Sequence, residues 1–272
     1  MAQYAFVFMN LARKLKRWLY GSCPGFKGVL PYWGERLHFP PGSVLFEVAC
    51  AQGIFERENL RLLQAAVRPG AWYFDIGANI GLMSAPLLGT EPTLQVVSVE
   101  PSPETAACLA RSIASSPRRD RWKLVTAAVG EFEGETEFHL SAPTHSAYDG
   151  IRNTSRAPAG RKIKVPMTSL DALWNKFARP DVALVKIDVE GGEAGVLRGG
   201  RQCLRATRPV ILLEWNRLNL AAYGCQPETL IDLAVELAYD ILNIPGLAPV
   251  LTPASLRLQT GVSENFLLVP RP

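Results

Sequence analysis

The sequence lacks the features that would tie it to several functional classes. Its five cysteines, Cys23, Cys50, Cys108, Cys203 and Cys225, are odd in number, and no two stand in a C-x-x-C spacing. No complete disulfide framework can be drawn from them. Cys108 and Cys203 fall in apolar helical patterns, where a thiol acts as a small hydrophobe. A reducing cytoplasm is the simpler expectation, and the sequon Asn153–Thr154–Ser155 then carries no meaning. Three histidines without a paired ligand spacing argue against a structural zinc site. A basic stripe is missing too. The net charge is +4, and the runs Arg13, Lys14, Lys16, Arg17 and Arg118–Arg119 are short, so no nucleic-acid partner is expected. There is no internal repeat, no long linker, and no apolar run long enough to span a bilayer.

What is present is a chain of 272 residues, 48% of them hydrophobic, enough to bury a substantial core. At the N-terminus Tyr4, Phe6, Val7, Phe8, Met9 and Leu11 precede four basic residues, the reverse of a signal peptide, whose charges come first. Two readings stay open for this helix: packing on its own domain or a partner, or lying on a membrane surface. A Gly/Pro-rich passage from Cys23 to Gly42 is expected to hold short strands. A strand pattern over Ser43–Cys50 and a helix over Phe55–Val67, stopped by Pro69–Gly70, follow.

Beyond that point strands and helices alternate. Strands are predicted at Trp72–Ile76, Gln95–Glu100, Lys123–Ala128, Ala183–Asp188, Val210–Glu214, Tyr239–Ile244 and Phe266–Val269. Helices are predicted at Ile80–Leu88, Pro103–Ser115 with Ser102 as N-cap, Ser169–Phe177, Gly192–Leu204 and Pro227–Ala238. Thr136–Leu140 and Lys162–Pro166 read as an inserted antiparallel pair. Runs such as Val182–Val185 and Val210–Leu213 are apolar without alternation, as a strand buried on both faces requires. The fold class is therefore α/β, a doubly wound parallel sheet covered by helices.

One motif selects the ligand. Asp75–Ile76–Gly77–Ala78–Asn79–Ile80–Gly81 follows the first strand of this alternation, where a doubly wound sheet binds its ligand. Gly77 and Gly81 let the backbone turn sharply and approach a ligand. Glu100, at the end of the second strand, can accept hydrogen bonds from both hydroxyls of a ribose. A nicotinamide dinucleotide is the rival cofactor, and an NAD(P)-dependent oxidoreductase the rival enzyme. The dinucleotide fingerprint, however, is G-x-G-x-x-G. Here the spacing is G-x-x-x-G, and the Asp75 carboxylate would repel a pyrophosphate while attracting an ammonium. An ordinary strand-to-helix turn is the plainer alternative. A second constellation, Lys186–Ile187–Asp188–Val189–Glu190–Gly191–Gly192–Glu193, ends a strand and places Lys186, Asp188 and Glu190 on alternate positions. Its alternative is a solvated, salt-bridged turn. Glu214, followed by Trp215–Asn216, is a third candidate at the cleft, with helix capping an equal role for Asn216.

Taken together these segments resemble the FkbM family of methyltransferases. The resemblance rests on Phe74–Gly81, Val99–Glu100–Pro101, Ala127–Ala128–Val129–Gly130, Ser169–Leu170–Asp171, Lys186–Glu193 and Asn265–Val269, and covers roughly residues 55–270. It implies a class I methyltransferase (Rossmann-like) sheet of seven strands with the last antiparallel, occupying residues 55–272, with an insertion at about 131–166 and an N-terminal extension over 1–54. It implies S-adenosylmethionine as cofactor, and O-methylation of a hydroxylated small molecule of sugar or natural-product type. By position Asp75, Gly77, Asn79 and Gly81 would line the methionine end and Glu100 would hold the ribose. Pro101 and Ser102 would flank the adenine, and Ala127, Ala128 and Val129 would close over it. Asp188 is the first candidate for the base that takes the acceptor proton and also borders the cofactor. Glu190 and His145 come next. A metal is not implied, although Asp188 and Glu190 offer oxygens suited to a hard divalent cation. A protein that kept the fold and lost catalysis is the non-enzymatic alternative. Oligomeric state is not legible.

Overall fold

The computed structural model describes residues 2–141, 149–152, 154 and 160–272, with side chains described from Leu11 onward. His145 lies outside the described residues, as do Asn153 and Ser155 of the sequon. Helix α1 (Ala2–Ser22) leads into a hairpin of β1 (Val29–Tyr32) and β2 (Glu35–His38). Two short helices, α2 (Val44–Gln52) and α3 (Arg57–Ala66), precede the main sheet.

Residues Ser43–Cys50 correct the expectation of a strand. Ser43 caps α2 by accepting from the Phe46 N–H at 3.3 Å, and Gly53, at φ 75°, ends it. The segment between is rich in Leu, Phe and Ala. With a cap at each end those residues favour a helix, and Phe46 stacks on Phe39 at 4.0 Å.

The sheet is built from β3 (Trp72–Ile76), β4 (Gln95–Val99), β5 (Trp122–Val125), β9 (Val182–Ile187), β10 (Val210–Glu214), β11 (Tyr239–Asn243) and β12 (Asn265–Pro270). Its order is β11-β12-β10-β9-β3-β4-β5, with β12 antiparallel to both neighbours and the β10-β9-β3-β4-β5 pairs parallel. This is the class I methyltransferase sheet: seven strands, mostly parallel, with the last strand antiparallel. Every residue of β9 is buried. Odd and even strand positions feed two cores. Phe74, Ile76, Val185 and Ile187 pack on one face of the sheet, and Tyr73, Leu184 and Leu212 on the other. Leu37, Phe39 and Phe46 of the N-terminal segment share this second core with Leu87 and Leu109.

Helices α4 (Ser84–Thr90), α5 (Pro103–Ser115), α6 (Leu170–Lys176), α7 (Glu193–Arg198), α8 (Arg201–Thr207), α9 (Arg217–Ala222), α10 (Thr229–Leu237) and α11 (Pro253–Gln259) cover the sheet. The helix expected over Gly192–Leu204 is two helices. A Cβ at Gly199 would lie 2.2 Å from the Gly130 carbonyl oxygen, and one at Gly200 2.6 Å from Leu170. Glycines there let the chain kink against its neighbours. The strand expected over Lys123–Ala128 is likewise divided. β5 stays in the main sheet, and β6 (Ala128–Gly130) joins a three-stranded sheet of order β6-β8-β7 with β7 (Gly134–Leu140) and β8 (Arg161–Ser169).

Candidate active site

A cavity of about 250 Å³ opens at the carboxyl ends of β3, β4, β9 and β10, at the point where the strand order reverses. The Asp75–Gly81 loop forms its floor. The Gly77 and Ala78 N–H groups both donate to the Val99 carbonyl at 3.0 Å, and Asp188 N–H donates to the Ile76 carbonyl at 3.0 Å. Three strand ends are thereby tied together. Gly77, Asn79 and Gly81 have φ of 80°, 48° and 88°, so the chain cannot enter a helix until Ser84, later than the sequence pattern indicates.

The two glycines do different work. A Cβ on Gly77 would stand 1.7 Å from the Asp188 carbonyl oxygen, so only glycine lets the two loops meet. Gly81 is absent from the described cavity wall, and its expected place beside the cofactor rests on the resemblance. A Cβ there would press on Trp122 at 2.9 Å and Leu109 at 3.0 Å. It is a packing glycine.

Asp75 is fully buried and lines the cavity. Its Oδ2 accepts from Ser84 Oγ at 2.5 Å, Ser84 and Ser98 hydroxyls lie 2.7 Å apart, and Trp122 Nε1 donates to Ser98 Oγ at 2.8 Å. With the Ser84 proton on Asp75, Ser98 must donate to Ser84, so the relay runs one way from the indole to the carboxylate. Burial raises the Asp75 pKa, against the pull of the Lys186 charge.

Glu100 accepts from Asn79 N–H at 3.0 Å through one oxygen and from Ser102 N–H at 2.8 Å through the other. Burial nevertheless pushes its pKa up to about 8. Each oxygen keeps a lone pair for a ligand hydroxyl. Pro101, Ala127, Ala128 and Val129 form part of the wall, whereas Ser102 does not. Ser102 serves through its backbone by orienting Glu100, and its side chain makes no capping bond to α5.

At the end of β9, Lys186 Nζ lies 2.8 Å from Asp188 Oδ2. Burial opposes the Lys186 charge, but Asp188, Asp75 and Glu56 outweigh it and raise its pKa. Glu190, at φ 57°, turns back into the cavity, where Asn219 Nδ2 donates to its Oε2 at 2.8 Å. Glu193 points away and clamps the turn, accepting from Val189 and Gly191 N–H at 3.2 and 2.9 Å. Glu214 faces Asp188. It hydrogen-bonds Asp188, so a proton lies between the two carboxyl groups, and burial first, then the Asp188 charge, raises the Glu214 pKa well above its ordinary value. Oxygens of Asp188, Glu190 and Glu214 lie within 4.8 Å of one another, a donor set that a hard divalent cation could use in place of the proton. Asn216 takes the capping role: its Oδ1 accepts from Leu218 and Asn219 N–H at 2.8 and 3.3 Å.

Three acidic residues of the wall escape the sequence reading: Glu56, Asp149 and Glu264. Glu56 enters from the loop before α3 and Asp149 from the insertion. Glu264 adjoins β12 and accepts from Asn216 Nδ2 at 2.5 Å. No local motif marks any of them, since each reaches the cavity only through the fold. Asp149, whose pKa burial lifts to about 6, accepts from Ser141 N–H at 2.7 Å. With Asp75, Glu100, Asp188, Glu190 and Glu214 these side chains share the wall with Lys186, the one basic residue of its described lining.

Sheet order and an acidic pocket at the strand ends define a protein of the class I methyltransferase fold. The chain belongs to the FkbM methyltransferase family: the family model described as the methyltransferase FkbM domain matches residues 75–234. It is 27% identical over 164 residues to the 2-O-methyltransferase NoeI of Sinorhizobium fredii, covering 56% of this chain and 65% of that one. The match thus spans just under two thirds of that relative's length. Among solved structures, a methyltransferase FkbM from Methylobacillus flagellatus is 16% identical with a TM-score of 0.49, covering 84% of this chain and 52% of that one. A TehB-like SAM-dependent methyltransferase from Corynebacterium glutamicum is 12% identical with a TM-score of 0.46, covering 84% and 95%.

Proposed function

We propose that this protein is an S-adenosylmethionine-dependent O-methyltransferase acting on a hydroxyl of a small molecule of sugar or natural-product type. The observation that carries the reading is the charge of the cavity. Acidic side chains line it and, among the described residues, a single lysine answers them. Such a wall attracts a sulfonium and an ammonium and repels the pyrophosphate of a nicotinamide dinucleotide. The oxidoreductase alternative fails on that ground.

The residues present fit the cofactor. Asp75 offers a buried carboxylate to the methionine ammonium, and Glu100, aimed by two backbone N–H groups, takes the ribose hydroxyls. Ala127, Ala128 and Val129, with no bulky side chains on the first two, leave space for a flat ring. When bound, the cofactor supplies an electrophilic methyl group and its own leaving group. The protein's part is to align the acceptor and remove its proton. Asp188 is the proposed base. Its side chain is 32% exposed, against 7% for Lys186, and so reaches the open part of the cavity. Lys186 pairs with it at 2.8 Å. Glu190 stands beside it, fixed by Asn219, and orients the acceptor hydroxyl. A second groove shares Glu56, Glu264 and Asn265 with the cavity and also presents Arg57, Asn59 and Ser263. That hydrogen-bonding surface suits a polyhydroxylated acceptor. The name of the relative NoeI supports oxygen as the atom methylated.

The test is calorimetric titration with S-adenosylhomocysteine, with NAD as control, followed by a screen of hydroxylated acceptors for methyl transfer. Micromolar binding of the first alone is expected. Binding without turnover on any acceptor would favour a protein that kept the pocket and lost catalysis, and no binding would remove the proposal.

A further inference from the structure

Helix α1 packs mainly against α2 and β1, and among its described residues an apolar stripe faces outward. Its C-terminal end is fastened to the body. Gly21 lies against the Phe46 ring, where an added Cβ would be 3.3 Å from it, and Arg17 pairs with Glu47 of α2. Arg17 and Gly21 are four apart and mark the face that meets the protein. Leu11, Leu15 and Trp18, spaced by four and three, form a different stripe and are 62%, 58% and 57% exposed. An amphipathic helix of a globular protein turns such a stripe inward; this one turns it outward.

The charges point to the occupant. Between Ala2 and Ser22 there are four basic residues, Arg13, Lys14, Lys16 and Arg17, and no acidic one. Lys14 and Lys16 are exposed and Arg17 is neutralised by Glu47. The sequence ahead of them is apolar and uncharged, with Tyr4, Phe6, Val7, Phe8 and Met9. No helix among the described residues is long and apolar enough to cross a membrane. A second copy of the chain would bring the same positive charges to the contact and be repelled. An anionic bilayer supplies both an apolar layer for the stripe and negative headgroups for the lysines, and tryptophan favours that boundary.

We propose that α1 lies in the surface of an anionic lipid membrane, with Leu11, Leu15 and Trp18 entering the acyl boundary and Lys14 and Lys16 meeting the headgroups. The experiment is flotation of the full chain with vesicles of phosphatidylglycerol and phosphatidylcholine, and with phosphatidylcholine alone. Binding to the anionic vesicles is expected, weakened by added salt. Leu15→Glu should lower vesicle affinity at least about tenfold, the factor lost with one buried leucine. Lys14→Ala and Lys16→Ala should each cost roughly fivefold. Because Leu15 is exposed, the melting temperature of Leu15→Glu should match the parent's, which separates loss of docking from loss of fold. Failure to float with anionic vesicles, or equal flotation of Leu15→Glu, overturns the proposal. So does a dimer in light scattering that Leu15→Glu dissolves while neither form binds vesicles.

Discussion

Lys186 Nζ and Asp188 Oδ2 meet at 2.8 Å across the last turn of a fully buried strand, and that lysine is the one basic side chain of a described cavity wall otherwise crowded with carboxyl groups. The pair holds the charge of the site in balance. Glu56, Asp75 and Glu214 all have pKa values raised first by burial. The folded protein therefore holds these protons to higher pH than the unfolded chain does, and its stability falls as pH climbs past their unfolded values. Lys186→Met removes the charge that holds Glu56 and Asp75 down and so raises both further. The variant should be less stable in urea by about 3 kcal/mol at pH near 8, with a smaller deficit at pH near 6. A deficit that grows toward acid would contradict the balance described.

Asp188→Asn keeps the size of the side chain and removes its basicity. Turnover should fall by about 10²-fold or more while the affinity for S-adenosylhomocysteine changes little. Single-turnover rates beside calorimetry give the comparison. A rate within about threefold of the parent would assign the proton to another group.

The two loop glycines should part company. Gly77→Ala drives a Cβ into the Asp188 carbonyl at a φ of 80° and should abolish cofactor binding along with stability. Gly81→Ala is strained at a φ of 88° and presses on the Trp122 and Leu109 side chains, not on the Asp188 backbone. It should lower the melting temperature while the variant, below its melting point, still binds S-adenosylhomocysteine. Equal loss of affinity in both would return Gly81 to the binding site.

Glu100 sets a pH dependence for the cofactor. In the proposed role ribose hydroxyls would donate to its carboxylate, while burial pushes its pKa up to about 8. Affinity for S-adenosylhomocysteine should rise between pH near 6.5 and pH near 9, with proton release on binding. Titration in buffers of different ionisation heat measures that release directly. In Glu100→Gln affinity should be weaker and its rise through pH 8 lost.

The buried strands were the most legible part of the fold. Val182–Val185 and Val210–Leu213 are apolar without alternation because both faces of the sheet are covered, and their place in a regular strand–helix alternation marks them as strands. Asp75, Glu100 and Asp188 were readable because each ends a strand, where the sheet itself brings them together. The helix at Val44–Gln52 was not, since a short apolar run carries no period that distinguishes helix from strand. Gly81 is ambiguous for a related reason: a glycine that admits a ligand and one that admits a tryptophan are written alike. Glu56, Asp149 and Glu264 come from segments distant in the chain, and nothing near them in the sequence marks their approach.

The small sheet has a bearing on how such a site diversifies. Ala128 and Val129 belong both to the cavity wall and to β6, and β6 pairs with β8 at Ala128–Met167 and Val129–Thr168 outside the seven-stranded sheet. One side of the pocket is thus built on a detachable annex, while the strands that hold Asp75 and Asp188 stay in the central core. Substitutions and length changes in the hairpin can reshape that side without touching the hydrogen bonds of the main sheet. Lineages descending from a common ancestor could retool their choice of substrate there while the catalytic chassis is inherited intact.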